Sequence, residues 1–193
     1  MSPDEKLTFV TSNRHKAREI KALFQSQNAK LNIHFAKTIE IQSENLAEIA
    51  LFSSIQAYNH LRRPVFVEDA GLFVEELKGF PGPYSSYVYS TLGLAGFLKL
   101  VGTNRKAVFK SVVCVYGLAD TPLLFTGNIS GVIASKPRGK HGFGYDPVFI
   151  PSGSRKTLAE MSLAEKNRFS HRGRAVRKLL RWLYKDRRKT GRR

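Results

Sequence analysis

Cysteine is almost missing from these 193 residues: Cys114 is the only one. No internal disulfide framework and no all-cysteine metal site can therefore be built. Cys114 lies in the apolar run Ser111-Val-Val-Cys-Val-Tyr116, where it reads as a small buried hydrophobe rather than a nucleophile. A Cys-His hydrolase is a poor fit for that reason, and the five histidines are too scattered to suggest zinc. Long apolar runs are missing too. No stretch reaches the roughly 18 apolar residues a span needs, so no membrane partner is expected. The opening Met-Ser-Pro-Asp-Glu-Lys has neither a basic n-region nor an apolar h-region, and a cytoplasmic protein without a signal peptide is the expectation. Acids are scarce: 15 Asp+Glu stand against 32 Lys+Arg, a formal net charge of +17.

What is present points to a folded chain. Hydrophobic residues are 42 % and aromatics 11 %, too many for a disordered segment. No internal repeat, low-complexity stretch or linker divides the chain. We expect one domain over residues 1–185 and a basic tail over 186–193. The charge is concentrated at that end, with 13 basic residues and one acid, Asp186, from Lys166 onward. Such a block can attract nucleic acid by neutralising phosphates. A solvated helix face explains it as well, because no aromatic residues are interleaved for base stacking.

Periodicity gives an outline. Leu7–Val10 is β-prone, and Ala17, Ile20, Leu23 and Phe24 then follow helical spacing, with Ser12 or Asn13 as N-cap. A second helix is expected over Leu46–Leu61, burying Leu46, Ile49, Ala50, Ile55 and Tyr58 and stopped by Arg62-Arg-Pro64. Val65–Val67 reads as a buried strand running into Glu68–Phe73, Gly79–Pro83 as an ordered loop, and Leu92–Val101 as a helix ending at Gly102. Two long strands, Ala107–Leu118 and Leu123–Ile133, join at Asp120-Thr-Pro122. Another strand is expected at Pro147–Ile150, then a helical C-terminus with Ser162-Leu-Ala-Glu165 as a capping box. The alternation predicts an α/β fold with a mixed, extended sheet.

Four constellations could carry chemistry. Thr11-Ser-Asn-Arg-His-Lys16 places small polar residues between a strand and a helix, where unpaired N–H groups and the helix dipole favour an anion. It lacks the glycines of a Walker loop, and an ordinary capped helix is an equal account. Glu68 and Asp69 end an apolar strand. Alternation sends them to opposite faces, so one of them can face a cleft at the strand's carboxyl end. Glu40 is another acid set among apolar neighbours, and carboxylates of this kind suit a hard cation such as Mg²⁺. Gly142-Phe-Gly-Tyr-Asp146 offers close backbone approach beside flat rings, or simply a packed turn. In Lys166-Asn-Arg-Phe-Ser-His-Arg172, the Lys, His and Arg could donate to phosphate or carbonyl oxygens.

Six segments in this order resemble the inosine triphosphate pyrophosphatase family: Thr11–Lys16 with Glu19, Glu40-Ile-Gln42, Glu68-Asp-Ala-Gly71, Gly79-Phe-Pro-Gly82, Gly142–Asp146 and Lys166–Arg172. The resemblance spans about residues 7 to 184. It implies two α/β lobes around a long twisted mixed sheet with a substrate cleft between them, a homodimer, and a requirement for Mg²⁺. The implied reaction is hydrolysis of ITP, dITP, XTP and dXTP to the monophosphate and pyrophosphate. By position, Thr11, Ser12, Asn13, Arg14, His15 and Lys16 would hold the triphosphate, with no side-chain role for Arg14 or His15. Glu40 and Asp69 would bind the metal, and Asp69 would also accept the proton of the attacking water. Phe143, Gly144, Tyr145, Asp146, Lys166, His171 and Arg172 would contact nucleotide, the last two near the base. Ala70 stands where the family usually has Ser, so one hydroxyl contact to substrate is missing. The alternatives are a pyrophosphatase for other modified nucleotides and a basic nucleic-acid-binding protein.

Overall fold

The computed structural model describes the backbone of residues 7–190 and side chains through Tyr184. Side chains of the proposed tail, and residues 191–193 altogether, lie outside the described residues. Seven strands form one mixed sheet in the order β2-β1-β3-β5-β6-β7, with β4 paired to β3 off that path. The strands are β1 (Thr8–Val10), β2 (Asn32–His34), β3 (Val65–Val74), β4 (Pro81–Gly82), β5 (Lys106–Tyr116), β6 (Leu123–Ile133) and β7 (Phe149–Pro151). β1 runs parallel to β2 and β3, whereas β3-β5, β5-β6 and β6-β7 are antiparallel. The helices are α1 (Arg14–Gln25), α2 (Leu46–Leu61), α3 (Ser85–Leu100), α4 (Leu163–Phe169) and α5 (His171–Thr190). The expected α/β class with a mixed, extended sheet is what forms.

Strand alternation distributes the core. Phe66 of β3 joins Leu7, Phe9, Ile20 and Phe24 beneath α1 and α5, with Ala175, Leu179 and Leu183 completing that cluster. Val65 and Val67 point the other way, against Leu46, Ala50 and Ala57 of α2. At the far end of the same strand, Leu72 and Val74 join a third cluster with Phe97 of α3, Phe109, Ile129 and Phe149. The long strands thus carry separate cores at their two ends, and the acids at positions 68 and 69 fall between them.

Several local expectations are revised. On α2, Ile55 and Tyr58 are only half-buried; Ser53, Ser54 and Ala57 take the inner face. Small residues let α2 approach the sheet closely enough for Ser54 Oγ to lie 3.2 Å from Cys114 Sγ. α3 begins at Ser85, not Leu92, and breaks at Gly93, whose φ of 61° only glycine adopts freely. Its first turns are rich in Ser and Thr, which weaken the helical pattern, and the Ser90 and Thr91 hydroxyls donate back to Tyr87 O. Within the Gly79–Pro83 loop, Pro81 and Gly82 pair with Phe73 and Leu72 as β4. β2 has no clear periodicity in its three residues and was not expected. The strand placed at Pro147–Ile150 starts at Phe149, because Asp146–Val148 forms a 3-10 turn. The capping box is at Thr157–Glu160. Ser162 caps α4 by accepting from Glu165 N at 3.2 Å, but the Glu165 carboxylate pairs with Lys156 at 3.3 Å.

The helical C-terminus is two helices, separated at Ser170 in extended conformation (φ −63°, ψ 153°). That break places His171 and Arg172 at the head of α5, hard against β6. A Cβ on Gly127 of β6 would lie 2.1 Å from His171 O and 2.5 Å from Ala175 N. Both are backbone atoms and cannot yield cheaply. Gly127→Ala is therefore expected to destabilise the fold by about 1–3 kcal/mol, the usual cost of overpacking. A thermal melt checks it: an unchanged Tm would mean that α5 does not seat on β6 this tightly.

Candidate active site

A cavity of about 610 Å³ opens between the two cores, well inside the range of small-molecule sites. Thr11, Ser12, Asn13, His15 and Lys16 form one wall, Glu40 and Asp69 with Ala70 another, and Phe143–Asp146 with His171 and Arg172 a third. Of the side chains singled out from the sequence, Arg14 and Lys166 do not line it. Arg14 lies over the Phe35 ring, 5.5 Å from its centroid.

The turn into α1 is organised differently from the open anion nest expected. Asn13 is the N-cap, and its Oδ1 accepts from the N–H of His15 (2.9 Å) and Lys16 (3.1 Å). Thr11 Oγ1 accepts from Asn13 N at 3.1 Å. Capping thus consumes three of the donors that looked available, and the hydroxyls and Lys16 become the more accessible polar groups. Lys16 Nζ donates to Glu68 O at 2.9 Å and pairs with Glu68 Oε2 at 3.1 Å and Asp69 Oδ1 at 3.9 Å.

The two acids sit in the middle of β3 rather than at its end, because the strand continues to Val74. They take opposite faces, both line the cavity, and Lys16 reaches each of them. Glu68 points toward α5. Its Oε2 lies 3.2 Å from Arg172 Nε, and its Oε1 accepts from Ser111 Oγ at 2.6 Å. Burial alone would raise its pKa, but Arg172, Lys16 and the Ser111 hydroxyl hold it well below the usual carboxylate range. Asp69 points toward Glu40. Burial raises its pKa, Lys16 opposes this, and repulsion from Glu68 and Glu40 adds to it, leaving the group pushed up to about 6.

Beneath the floor lies a charge cluster that sequence reasoning largely missed. Glu19, 3 % exposed, pairs with Lys166 Nζ and Arg172 Nη1, each at 2.6 Å. Lys166 Nζ also donates to Asp146 Oδ2 in a very short contact. The cluster is charge-balanced, with Glu19, Glu68 and Asp146 opposite Lys16, Lys166 and Arg172. Burial works against the ionised Glu19, but Arg172 and Lys166 outweigh it and lower its pKa. Asp146 is raised by burial despite Lys166. A usable signal for Glu19 did exist: positions 16, 19, 20 and 23 share one helix face, so an acid at 19 falls on the buried stripe beside Ile20 and Leu23.

Asp146 also shapes the glycine-rich loop. Its Oδ2 accepts from Phe143 N at 2.7 Å, and a Cβ on Gly142 (φ +75°) would lie 2.1 Å from that same oxygen. The loop sets the Phe143 ring 5.0 Å from the His15 imidazole, nearly parallel at 17°. The Tyr145 hydroxyl donates to Ser85 O at 3.0 Å, anchoring the loop to α3. His171 stacks on Phe109 (4.4 Å, 7°). Burial, with Arg172 adding to it, drives the His171 pKa well below its ordinary value, so the ring is neutral. Its Nδ1 is buried without a hydrogen-bond partner, in a side chain that lines the cavity.

Of the carboxylates lining the cavity, Glu68 is committed to Lys16, Arg172 and Ser111 and Asp146 to Lys166 and the Phe143 amide, which leaves Glu40 and Asp69 to face a cation. Among the described residues no group of three or more His, Cys, Asp or Glu side chains could hold a metal. Two oxygen donors fit a hard cation that draws its remaining ligands from phosphate and water.

Comparison with known proteins gives the family. The model of the Ham1 family matches residues 7–182. The dITP/XTP pyrophosphatase of Hyperthermus butylicus is 54 % identical over 179 residues, covering 92 % of this chain and 94 % of that protein. The dITP/XTP pyrophosphatase of Thermococcus kodakarensis is 47 % identical, covering 92 % and 97 %. Among solved structures, a HAM1 protein from Coxiella burnetii superposes with a TM-score of 0.78 at 29 % identity, over 93 % of this chain and 99 % of that one. Fold and sequence thus agree along nearly the whole chain, which belongs to the Ham1 family.

Proposed function

We propose that the protein hydrolyses deaminated purine nucleoside triphosphates, ITP and XTP and their deoxy forms, to the monophosphate and pyrophosphate. The observation that carries the reading is the meeting of Glu40, Asp69 and Lys16 in one cavity with the Phe143–Asp146 loop and His171, in a chain so similar to dITP/XTP pyrophosphatases. Glu40 and Asp69 would hold the divalent cation, for which Mg²⁺ fits the all-oxygen donors. When bound, that ion would neutralise phosphate charge and make water more acidic.

The chain's own groups do the rest. Asp69 takes the proton of the attacking water on a carboxylate oxygen. The Thr11 and Ser12 hydroxyls and Lys16 Nζ orient the phosphates and stabilise the leaving pyrophosphate. Lys16 is preorganised for this by Glu68. The Phe143 ring gives a purine an apolar face. Neutral His171 and Arg172 at the back of the cavity supply the hydrogen bonds that distinguish a 6-oxo purine from adenine; the orphaned His171 Nδ1 supports a partner arriving with the ligand. A site built around such bonds can reject the mismatched base by about 10⁴-fold. Ala70 leaves the wall beside Asp69 without a hydroxyl.

We read the protein as cytoplasmic, where free nucleotides are, and among the described residues no helix is long and apolar enough to cross a membrane. We also read it as a homodimer, for which exposed Tyr84, Tyr87 and Leu92 offer apolar surface.

A panel of triphosphates with product identification tests the reading. ITP, dITP and XTP should be turned over far faster than ATP or GTP, with pyrophosphate released. Equal rates for ATP and ITP, or orthophosphate alone, would overturn it. A preference for 5-substituted pyrimidine triphosphates would favour a pyrophosphatase of other modified nucleotides.

A further inference from the structure

A second concavity, of about 410 Å³, shares no lining residue with the first. Arg174, Arg177, Lys178 and Arg181 of α5 face Thr126 and Asn128 of β6 across it. The cations stand at i, i+3, i+4 and i+7, one face of the helix, and no carboxylate lines the groove. Two of them are fixed by neutral carbonyls. Arg174 Nη1 donates to Asn128 O at 2.9 Å, and Arg177 donates to Asn167 O at 2.6 Å and Arg168 O at 3.0 Å. Their positions are set, and among the described residues no carboxylate lines the groove beside them. Burial first, then repulsion from Arg174 and Arg181, lowers the Arg177 pKa. Beyond Arg181 the helix backbone continues to Thr190, and the sequence keeps the same spacing at Lys185, Arg188 and Lys189.

We propose that this groove binds the phosphodiester backbone of nucleic acid without reading its bases, as a site independent of the nucleotide-hydrolysing cavity. The four cations span about 10 Å along α5 at 1.5 Å per residue, a length over which more than one phosphate of a strand can be met. No aromatic ring lines the groove, so base stacking contributes nothing there and affinity comes from counterion release. The competing role of such cations is to guard the β6 edge, which pairs with β7 only over Gly131–Ile133.

The test is fluorescence anisotropy with a labelled DNA duplex of about 20 base pairs, between about 50 and 200 mM salt. The full chain is compared with Lys178→Glu/Arg181→Glu and with a charge-matched control, Lys99→Glu/Lys106→Glu. Wild type and control should bind with a log-log salt dependence, and the α5 variant should show a slope shallower by about two, one per lost phosphate contact, with weaker binding at low salt. ITP hydrolysis and Tm should stay the same in all three, so failure of the groove would not be confused with failure of the enzyme reading. Two results would overturn the proposal. If no form binds at low salt, the cations only guard the sheet edge; if both variants weaken binding equally, net charge alone accounts for it.

Discussion

Asp69→Asn is expected to lower the kcat for ITP by about 10²- to 10⁴-fold, the span normal for removal of a general base. The amide keeps the shape of the carboxyl group but cannot take up a proton, and it removes one of the two carboxylates offered to a cation. The fold should not suffer. In the metal-free protein burial, with repulsion from Glu68 and Glu40 adding to it, raises the Asp69 pKa to about 6 despite Lys16. A group raised in this way favours folding when protonated, so its contribution to stability declines as pH climbs from about 4 to 6. Above that window the ionised group opposes folding, and the neutral amide lifts that opposition. In chelator near neutral pH, the Tm of the variant should equal or exceed that of wild type. Near-full turnover of ITP would rule out Asp69 as the base.

The second large effect is on stability. Glu19→Gln leaves Lys166 with Asp146 alone and Arg172 with Glu68 alone, in a site where Glu19 is 3 % exposed and Arg172 2 %. Breaking a buried ion pair from one side costs about 3–5 kcal/mol, because the remaining charge stays desolvated. For a domain of this size that corresponds to a Tm lower by about 6–20 °C. The pH dependence has a defined sign. The Glu19 and Glu68 pKa values are lowered, so their stabilisation is complete above the unfolded carboxylate pKa and lost as pH falls through the folded values. Asp146 is raised and works in the opposite sense. The gap between wild type and Glu19→Gln should therefore narrow in acid. Equal melting temperatures at neutral pH would show that the cluster does not hold the floor together.

The cluster also bears on the site. Lys166 and Arg172 both belong to the motif Lys166–Arg172, and both are engaged with buried carboxylates. Asp146 holds the Phe143 amide and Lys166 together. One variant at position 19 should therefore disturb the loop that faces the purine as well as the melting temperature.

Local pattern was enough for much of this. The helical stripe Ala17-Ile20-Leu23-Phe24, the apolar run of β3 and the pair of long strands are short-range periodicities, and each sits where its spacing requires. The opposite facing of Glu68 and Asp69 follows from strand geometry in the same way. What the chain could not show locally was which charge meets which. Glu19 and Arg172 are 153 positions apart, and nothing in either neighbourhood specifies the other. Nor does local pattern reveal that Asn13 takes up the N–H groups of His15 and Lys16, or that Gly127 admits the head of α5 so that His171 arrives buried and neutral. The order of motifs along the chain determined the family. Packing across the sheet decided which of them face the cavity and which are locked beneath it, because desolvation and partner choice depend on contacts that exist only once distant segments meet.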